Sequence, residues 1–192
     1  MKSSLTYILA IAVTFMSCNN SVNCEIDTSE GIIFIELYPD KAPNTVANFL
    51  RYVDNERYTN GTFFRVTTPE NEATREFKIE VIQGRKGKGK GKDFDSIEIE
   101  TTKESGILHK NGTLSMARSE PNSATSSFFI CINAQPELDF GGKRNPDGYG
   151  FAAFGKVTKG MDIVRKIQGK KNKNQLLLKP VIIKSIKRSK ND

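Results

Sequence analysis

The chain has 192 residues, 37% of them hydrophobic, which is enough for one domain with a sizeable buried core. Its formal net charge of +7 favours solubility and weak attraction to acidic partners, but it does not bear on the fold. His109 is the only histidine, which weakens the case for a histidine-rich metal site or a Ser-His-Asp triad.

Residues 1–18 have the pattern of a secretory signal, with Lys2 followed by a short apolar run at 5–15. The run is too short for a membrane-spanning helix. Ser17 before Cys18 resembles a bacterial lipoprotein cleavage site, so we expect Cys18 to become the lipidated first residue of the mature chain. The domain would then be exported and anchored to a bacterial membrane, facing the periplasm. Plain secretion and an uncleaved anchor are the alternatives.

Two further cysteines follow this segment. Export permits a disulfide between Cys24 and Cys131. Because Cys24 lies in a polar leader and Cys131 in an apolar run, a buried thiol at Cys131 is the default expectation.

The first predicted elements follow residues 19–30, which we assign to a tether, with a lead into the first strand as the alternative. The run 31–38 (GIIFIELY) predicts a strand. Pro43 suits the first position of a helix, which should extend to about Asn55. Its predicted apolar stripe follows helical spacing and consists of Val46, Phe49, Leu50 and Val53.

The rest of the chain alternates short strand-like runs with polar turns. Strands are predicted at 62–66, 77–83, 97–101, 112–117, 128–132, 151–157 and 181–187, and a second helix at 159–167 with Thr158 as its N-cap. About eight strands and two helices, without regular strand–helix alternation, predict a closed antiparallel β-barrel with capping helices. The domain should span residues 31–188 and end in a tail at 189–192.

Two stretches of the sequence have features beyond strands and turns. Residues 114–132 contain two apolar runs joined by a loop of small residues, either a plain hairpin or the wall and rim of a shallow apolar pocket. Residues 85–92 (RKGKGKGK) carry five positive charges and three glycines, which is typical of a solvated flexible loop. An arm for anionic polymers is the alternative. No aromatic residue is interleaved with the charges, so a nucleic-acid partner is not expected.

A series of short motifs runs through residues 31–187 in a fixed order. They are FIELYP at 34–39, APNTVANF at 42–49, FFR at 63–65, IQG at 82–84, GTLSMAR at 112–118, PNSA at 121–124, FFI at 128–130, LD at 138–139 and FGKV at 154–157. Each is weak alone, but the ordered set resembles the cyclophilin-type peptidyl-prolyl isomerases.

This resemblance implies an eight-stranded barrel with two capping helices, a proline pocket on its outer face and isomerisation of X-Pro bonds. Proline-containing polypeptides are the expected partners, and a monomer is the expected state. The sequence contains no phosphate-binding glycine loop and no metal-ligand cluster, so we predict neither a cofactor nor a metal.

The resemblance also implies roles for individual residues at the matching motif positions. Arg65 corresponds to the catalytic arginine, and Gln83 to a glutamine that orients it or holds a substrate carbonyl. The substrate-binding residues that the resemblance implies are Val81, Met116, Ala117, Arg118, Ser127, Phe129, Leu138 and Phe151.

Strand alternation makes a sharper prediction for the side chains around the proline slot. One set should face the slot outside the barrel, and a second set should fill the core. The outer set is Phe129 and Phe151, together with Met116 and Leu138 of the pocket that the resemblance implies, and the core set is Phe128 and Phe154. The alternative is that one or both of Phe129 and Phe151 point into the barrel core.

Several positions depart from the family's pattern. Phe64 replaces the usual His, Glu80-Val81 replaces Phe-Met, Ser127 replaces a glutamine, Glu137 stands where an aromatic residue is common, and Phe151 stands where His or Tyr is usual. Arg65 and Gln83 are 18 residues apart, a longer separation than usual. These departures bear on turnover and substrate preference. The alternative function is a module that binds Pro-containing peptides with little turnover.

Overall fold

The structure, a computed structural model, describes residues 20–189. The predicted signal segment and the predicted lipidation site Cys18 lie outside the described residues, as does most of the predicted tail. Among residues 20–189, no helix is both long enough and apolar enough to cross a bilayer.

Within this range, nine antiparallel strands form one sheet that closes on itself. They are β1 (Val22–Thr28), β2 (Gly31–Leu37), β3 (Gly61–Thr67), β4 (Val81–Arg85), β5 (Thr113–Met116), β6 (Phe128–Cys131), β7 (Ala153–Lys159), β8 (Asn172–Lys173) and β9 (Leu176–Arg188). The hydrogen-bonded order is β1-β2-β7-β5-β6-β4-β3-β9, and β9 pairs back with β1. β8 is a short ribbon on the start of β9. The predicted closed eight-stranded antiparallel barrel is therefore confirmed.

Three α-helices accompany the barrel in the described part of the chain: α1 (Pro43–Asp54), α2 (Thr102–Ser105) and α3 (Met161–Gln168). α1 begins at Pro43, as predicted, and buries its apolar stripe. α3 buries Val164 and Ile167 and packs against β2, β3 and β4. The single-turn α2 starts with a capping box, in which the side chains of Thr101 and Glu104 each accept from the other's backbone N–H.

Aromatic rings fill the centre of the barrel. The ring centroid of Phe49 on α1 lies 5.1 Å from that of Phe154 and 5.4 Å from that of Phe128. Phe128 also contacts Phe63, with 5.8 Å between centroids. All four rings are fully buried. This core determines which side chains of each strand point inward, and hence which are left for the outer face.

Residues 19–30 are not a tether, because β1 occupies most of this segment. Cys24 and Ile26 point into the core, and β1 pairs with β2 on one side and β9 on the other. The charged residues Glu25 and Asp27 alternate with them, which gave the segment its polar composition. The domain therefore begins at Val22 rather than at residue 31.

Two predicted strands are shorter in the structure. β4 begins at Val81, so residues 77–80 precede the strand instead of belonging to it. The strand expected at 97–101 reduces to one bridge between Ile97 and Ala124.

The start of the second predicted helix is also displaced. Thr158 lies in β7, and the N-cap of α3 is Gly160. Gly160 has a φ of +99°, and a Cβ there would lie 2.7 Å from the Ile32 carbonyl oxygen. A glycine therefore suits this position better than a side chain that could cap the helix.

Candidate active site

One row of side chains crosses the outer face of five neighbouring strands. Directly opposite residues of an antiparallel pair share a face. The strand register aligns Leu176 of β9, Arg65 of β3, Gln83 of β4, Phe129 of β6 and Ser115 of β5. The row brings a cation, an amide and an aromatic ring side by side, from segments that are distant in the sequence.

A β-bulge at Phe64 turns Arg65 outward. Phe63 lies opposite Gly84 and fills the core, whereas Arg65 lies opposite Gln83. In a regular strand Phe63 and Arg65 would point to the same face, because side chains alternate with a period of two. Phe64 is the extra residue at this shift of register, and bulges re-aim side chains in this way. A charge that strict alternation would bury is thereby brought to the surface.

Two glutamine side chains hold the Arg65 guanidinium. Its Nη1 donates to Gln83 Oε1 at 2.9 Å, and its Nε and Nη2 donate to Gln175 Oε1 at 2.9 and 2.6 Å. Burial, followed by the positive charge of Arg144, lowers the pKa of Arg65 from its usual value. A guanidinium has five N–H donors, so these three bonds leave two N–H groups without a hydrogen-bond partner among the described residues. Nη2 also forms an ion pair with Glu72 Oε1 at 4.0 Å.

An apolar cluster, here called the outer cluster, continues this row beyond Gln83. It is separate from the barrel core and consists of Ile79, Val81, Phe129, Cys131 and Leu138, with Ala117 and Phe151 packed against it. The Phe129 and Phe151 rings meet edge to face, with 5.3 Å between centroids. Leu138 comes from a 3₁₀ turn, and its carbonyl accepts from the Phe151 N–H at 3.0 Å. That bond joins the two loops that supply Leu138 and Phe151.

The predicted faces of the aromatic residues are confirmed, but the predicted face of Met116 is wrong. Phe128 and Phe154 belong to the barrel core, whereas Phe129 and Phe151 belong to the outer cluster. Met116 lies opposite Phe128 and packs in the core. Because opposite residues share a face, Met116 does not line a slot formed by Phe129.

Comparison with known proteins identifies the family to which this chain belongs. Residues 23–188 match the family model described as cyclophilin type peptidyl-prolyl cis-trans isomerase/CLD. The chain belongs to the cyclophilin-type peptidyl-prolyl cis-trans isomerases.

Individual relatives agree with the family assignment. A peptidyl-prolyl cis-trans isomerase of Streptomyces antibioticus is 35% identical over 173 residues, which cover 85% of this chain and 96% of that one. One from Acinetobacter baylyi is 41% identical over 145 residues, which cover 74% and 70%. A solved cyclophilin-type isomerase of Cryptosporidium parvum shares the fold, with a TM-score of 0.72, 24% identity, and coverage of 90% and 99%. The chain is therefore an enzyme of the peptidyl-prolyl isomerase class.

Arg118 forms part of the rim of this cyclophilin's outer cluster, but its charge is already paired. Its Nη1 and Nη2 donate to the Asp147 carboxylate, each at 2.8 Å, and its Nε donates to the Gly150 carbonyl at 2.8 Å. These bonds lower the pKa of Asp147. Next to it, the Ala117 N–H donates to the Ser127 carbonyl at 2.8 Å, which joins the ends of β5 and β6. Arg118 thus anchors the loop that leads to β7.

Two acidic residues that depart from the cyclophilin pattern are engaged in local hydrogen bonds. Glu80 Oε1 accepts from Asn133 Nδ2 at 3.0 Å. Glu137 Oε2 accepts from the backbone N–H of Lys143 at 2.8 Å. Both carboxylates support loops that border the outer cluster.

His109 lies behind Phe129 and supports it. The two rings stack with 5.9 Å between centroids, and His109 is only 1% exposed. Its Nδ1 lies 2.7 Å from Asp139 Oδ1, and its Nε2 lies 2.9 Å from Ser115 Oγ. The carboxylate only accepts, so Nδ1 donates to Asp139. His109 is therefore a buried residue that supports the outer cluster from behind.

Three polar residues around Arg65 were not predicted from the sequence. Gln175 lies 110 positions away in the turn between β8 and β9. Glu72 and Arg144 come from two loops for which the sequence indicated only turns. No motif marks these residues, and the departure that hinted at them was the long separation between Arg65 and Gln83.

Proposed function

We propose that this cyclophilin accelerates cis/trans rotation of X-Pro bonds in exported proteins, with Arg65 as the catalytic residue. The observation that carries the proposal is the common row of Arg65, Gln83 and Phe129, which joins a guanidinium to the edge of the outer cluster. The proline ring enters the outer cluster against Phe129, Leu138 and Phe151. The amide on its N-terminal side then lies towards Arg65.

The reaction requires no nucleophile, because no bond is broken. An X-Pro bond rotates in tens to hundreds of seconds since amide resonance resists twisting. An increase to roughly 10³ turnovers per second requires the barrier to fall by about 7 kcal/mol, at 1.36 kcal/mol per decade. The catalyst therefore has to bind the twisted amide more tightly than the planar one.

Arg65 meets this requirement through its remaining N–H groups. When the amide twists, the lone pair of the prolyl nitrogen leaves conjugation and becomes a hydrogen-bond acceptor. A guanidinium N–H donates to this lone pair in the twisted state and finds no such acceptor in the planar state. Gln83 holds Nη1 of Arg65 from the side of the outer cluster, so its role is to orient the guanidinium.

The test is a proline-limited refolding assay with the full chain. We expect the wild type to accelerate the slow phase and Arg65→Ala to lose most of that acceleration. Acceleration that is unchanged in Arg65→Ala would remove Arg65 from the mechanism, and no acceleration by the wild type would refute turnover.

A binding module without useful turnover is the second candidate, favoured by the acidic residues Glu80 and Glu137 at the borders of the outer cluster. It predicts that a Pro-containing peptide shifts the NMR signals of the protein without cis/trans exchange cross-peaks. The enzyme predicts both effects. A related isomerase of Cryptosporidium parvum has been solved in the presence of the dipeptide Ala-Pro, which makes short Pro-peptides suitable probes.

We further propose that the enzyme works on the periplasmic side of a bacterial membrane, anchored by lipid on Cys18. The support is the sequence pattern of residues 1–18. Expressed in a bacterial host, the wild type should fractionate with membranes and Cys18→Ser should lose its lipid mass. A wild-type chain without added lipid would contradict the anchor. A monomeric state and the lack of a nucleic-acid partner stay predictions.

A further inference from the structure

A buried carboxylate lies next to the catalytic arginine. Glu72 is 0% exposed and comes from the long segment between β3 and β4. Its Oε2 accepts from the Ile79 N–H at 2.8 Å and from Arg144 Nη1 at 2.9 Å. Its Oε1 accepts from Arg144 Nη2 at 2.5 Å and from Gln175 Nε2 at 3.2 Å. Both oxygens are therefore satisfied, as a buried charge requires.

Gln175 connects this carboxylate to Arg65. Its Nε2 donates to Glu72, while its Oε1 accepts from Nε and Nη2 of Arg65. A carboxylate only accepts and a guanidinium only donates, so the amide of Gln175 has a single orientation that satisfies both neighbours. Glu72 thus fixes the orientation of Gln175, and Gln175 presents its oxygen to Arg65.

Arg144 extends the network to the other side of the site. Its Nη1 also donates to the Phe77 carbonyl at 2.7 Å, and its backbone N–H donates to the Glu137 carbonyl at 3.0 Å. Glu137 directly precedes Leu138 of the outer cluster. The same carboxylate is therefore linked to the loop that lines the apolar side of the site and, through Gln175, to the guanidinium.

The long segment between Arg65 and Gln83 supplies Glu72 to this network. Within it, Asn71 Nδ2 donates to the Val66 carbonyl at 3.1 Å, and the Asn71 carboxamide oxygen accepts from the Thr68 N–H at 2.9 Å. These bonds fold the segment back along β3, so that the next residue, Glu72, reaches the network.

We propose that Gln175 and Glu72 are positioning residues for Arg65, which hold its guanidinium in one orientation so that its two remaining N–H groups meet the twisted amide. The proposal rests on the proposed function. Gln175 occupies Nε and Nη2, and Gln83 occupies Nη1, so rotation of the guanidinium plane breaks hydrogen bonds. Misplacement of a reacting group by about 1 Å can cost up to 10²-fold in rate. A network of buried polar groups that fixes the Arg65 guanidinium can therefore have a large effect on the rate.

The test uses Gln175→Met in the full chain, with Gln168→Met as the matched control. Both glutamines are half-buried and hydrogen-bonded, but Gln168 donates to the Thr67 carbonyl and forms no hydrogen bond with Arg65. Gln175 is preferred to Glu72 as the test position because removal of the buried carboxylate would leave the charge of Arg144 unpaired. A proline-containing tetrapeptide is the probe, with its affinity measured by NMR titration and its isomerisation by exchange spectroscopy at saturation.

We expect Gln175→Met to lower the saturated exchange rate by about tenfold while the peptide Kd changes by less than about twofold. Gln168→Met should match the wild type in both. In an Arg65→Ala background, Gln175→Met should cause no further loss of exchange rate, because the proposal assigns the effect of Gln175 on the rate to its hydrogen bonds with Arg65. The Nε–Hε NMR signal of Arg65 should also shift and broaden in Gln175→Met, which reports orientation without reference to turnover.

Two results would overturn the inference. One is a Gln175→Met chain with the wild-type exchange rate and an unchanged Arg65 Nε signal, which would leave the proposed function standing. The other is an equal rate loss from Gln175→Met with and without Arg65, which would mean that Gln175 acts elsewhere. A wild-type chain that shows no exchange at saturation would refute the proposed function and this inference together.

Discussion

At the scale of single residues, two adjacent phenylalanines on β6 point to opposite faces of the sheet. Phe128 packs against Phe49, Tyr58 and Phe63 inside the barrel. Phe129 belongs to the outer cluster and is 4% exposed. The two residues are adjacent in the chain, but one packs inside the barrel and the other outside it.

This difference predicts opposite consequences for two alanine substitutions. Phe128→Ala leaves a cavity in the core and should cost about 3–5 kcal/mol of unfolding free energy. Phe129→Ala removes a ring from the outer cluster, which is smaller than the barrel core, so it should cost less stability than Phe128→Ala and weaken binding of a Pro-peptide. Urea denaturation and NMR titration measure the two effects. Equal destabilisation with unaltered binding in Phe129→Ala would mean that the two faces are assigned the wrong way round.

The motifs marked Arg65, Gln83 and Phe129 as site residues, and the strand register places these three residues in one row because each matched segment lies on its own strand. Met116 was misassigned, since adjacency to Ala117 in a motif does not decide which face a side chain takes. Gln175 was beyond prediction from the sequence. Its contact with Arg65 joins positions 110 residues apart, and neither hydrophobic periodicity nor a motif specifies such a polar pair.

At the scale of elements, the packing of β4 between β3 and β6 depends on Gly84, which has no side chain. A Cβ on Gly84 would lie 2.9 Å from Cζ of Phe128 and 3.2 Å from Cε1 of Phe63. The missing side chain lets both rings meet above the strand. The same strand carries Gln83 on its other face, so core packing and the site share this stretch of backbone.

Gly84→Ala should therefore overpack the core and cost about 1–3 kcal/mol of unfolding free energy. Gly169→Ala is the control, because a Cβ there meets its nearest neighbour, the Arg165 carbonyl oxygen, at an ordinary 3.5 Å. The control should change stability by no more than about 0.5 kcal/mol. Chemical denaturation measures both, and a Gly84→Ala chain as stable as the control would contradict this description of the strand.

The elements themselves differed in how far the sequence revealed them. β2 and α1 have clear apolar periodicity and were predicted within about two residues, as is usual for such signals. β1 was missed because its outward residues Glu25 and Asp27 are charged and its inward set includes a cysteine. The bulge at Phe64 was also missed, since only the partner strands, which are non-local, reveal an extra residue.

At the scale of the whole molecule, barrel closure separates the two cysteines of the described chain. Cys24 lies in the core cluster and Cys131 in the outer cluster. Both are buried free thiols, so the default expectation for Cys131 is confirmed. Burial raises the pKa of Cys24 to about 12 and raises that of Cys131 even further. The reactive thiolate form is therefore disfavoured at both positions in the folded chain.

These thiols should report global unfolding. In the Cys18→Ser full chain at neutral pH, iodoacetamide should alkylate Cys24 and Cys131 far more slowly than in the same chain unfolded in urea, because both are buried and protonated. Peptide mass mapping after timed quenching gives the two rates. Alkylation of native Cys24 at the unfolded rate would show that β1 does not stay in the barrel.

The most direct test of the whole account separates binding from turnover at Arg65. The full chain and its Arg65→Ala variant are titrated with a proline-containing tetrapeptide, and cis/trans exchange is measured by NMR at saturation. Because the outer cluster binds the proline ring and Arg65 acts on the twisted amide, Arg65→Ala should keep the peptide affinity within about tenfold and lose exchange by about 10²-fold or more. An Arg65→Ala chain that exchanges the bound peptide as fast as the wild type would contradict the account.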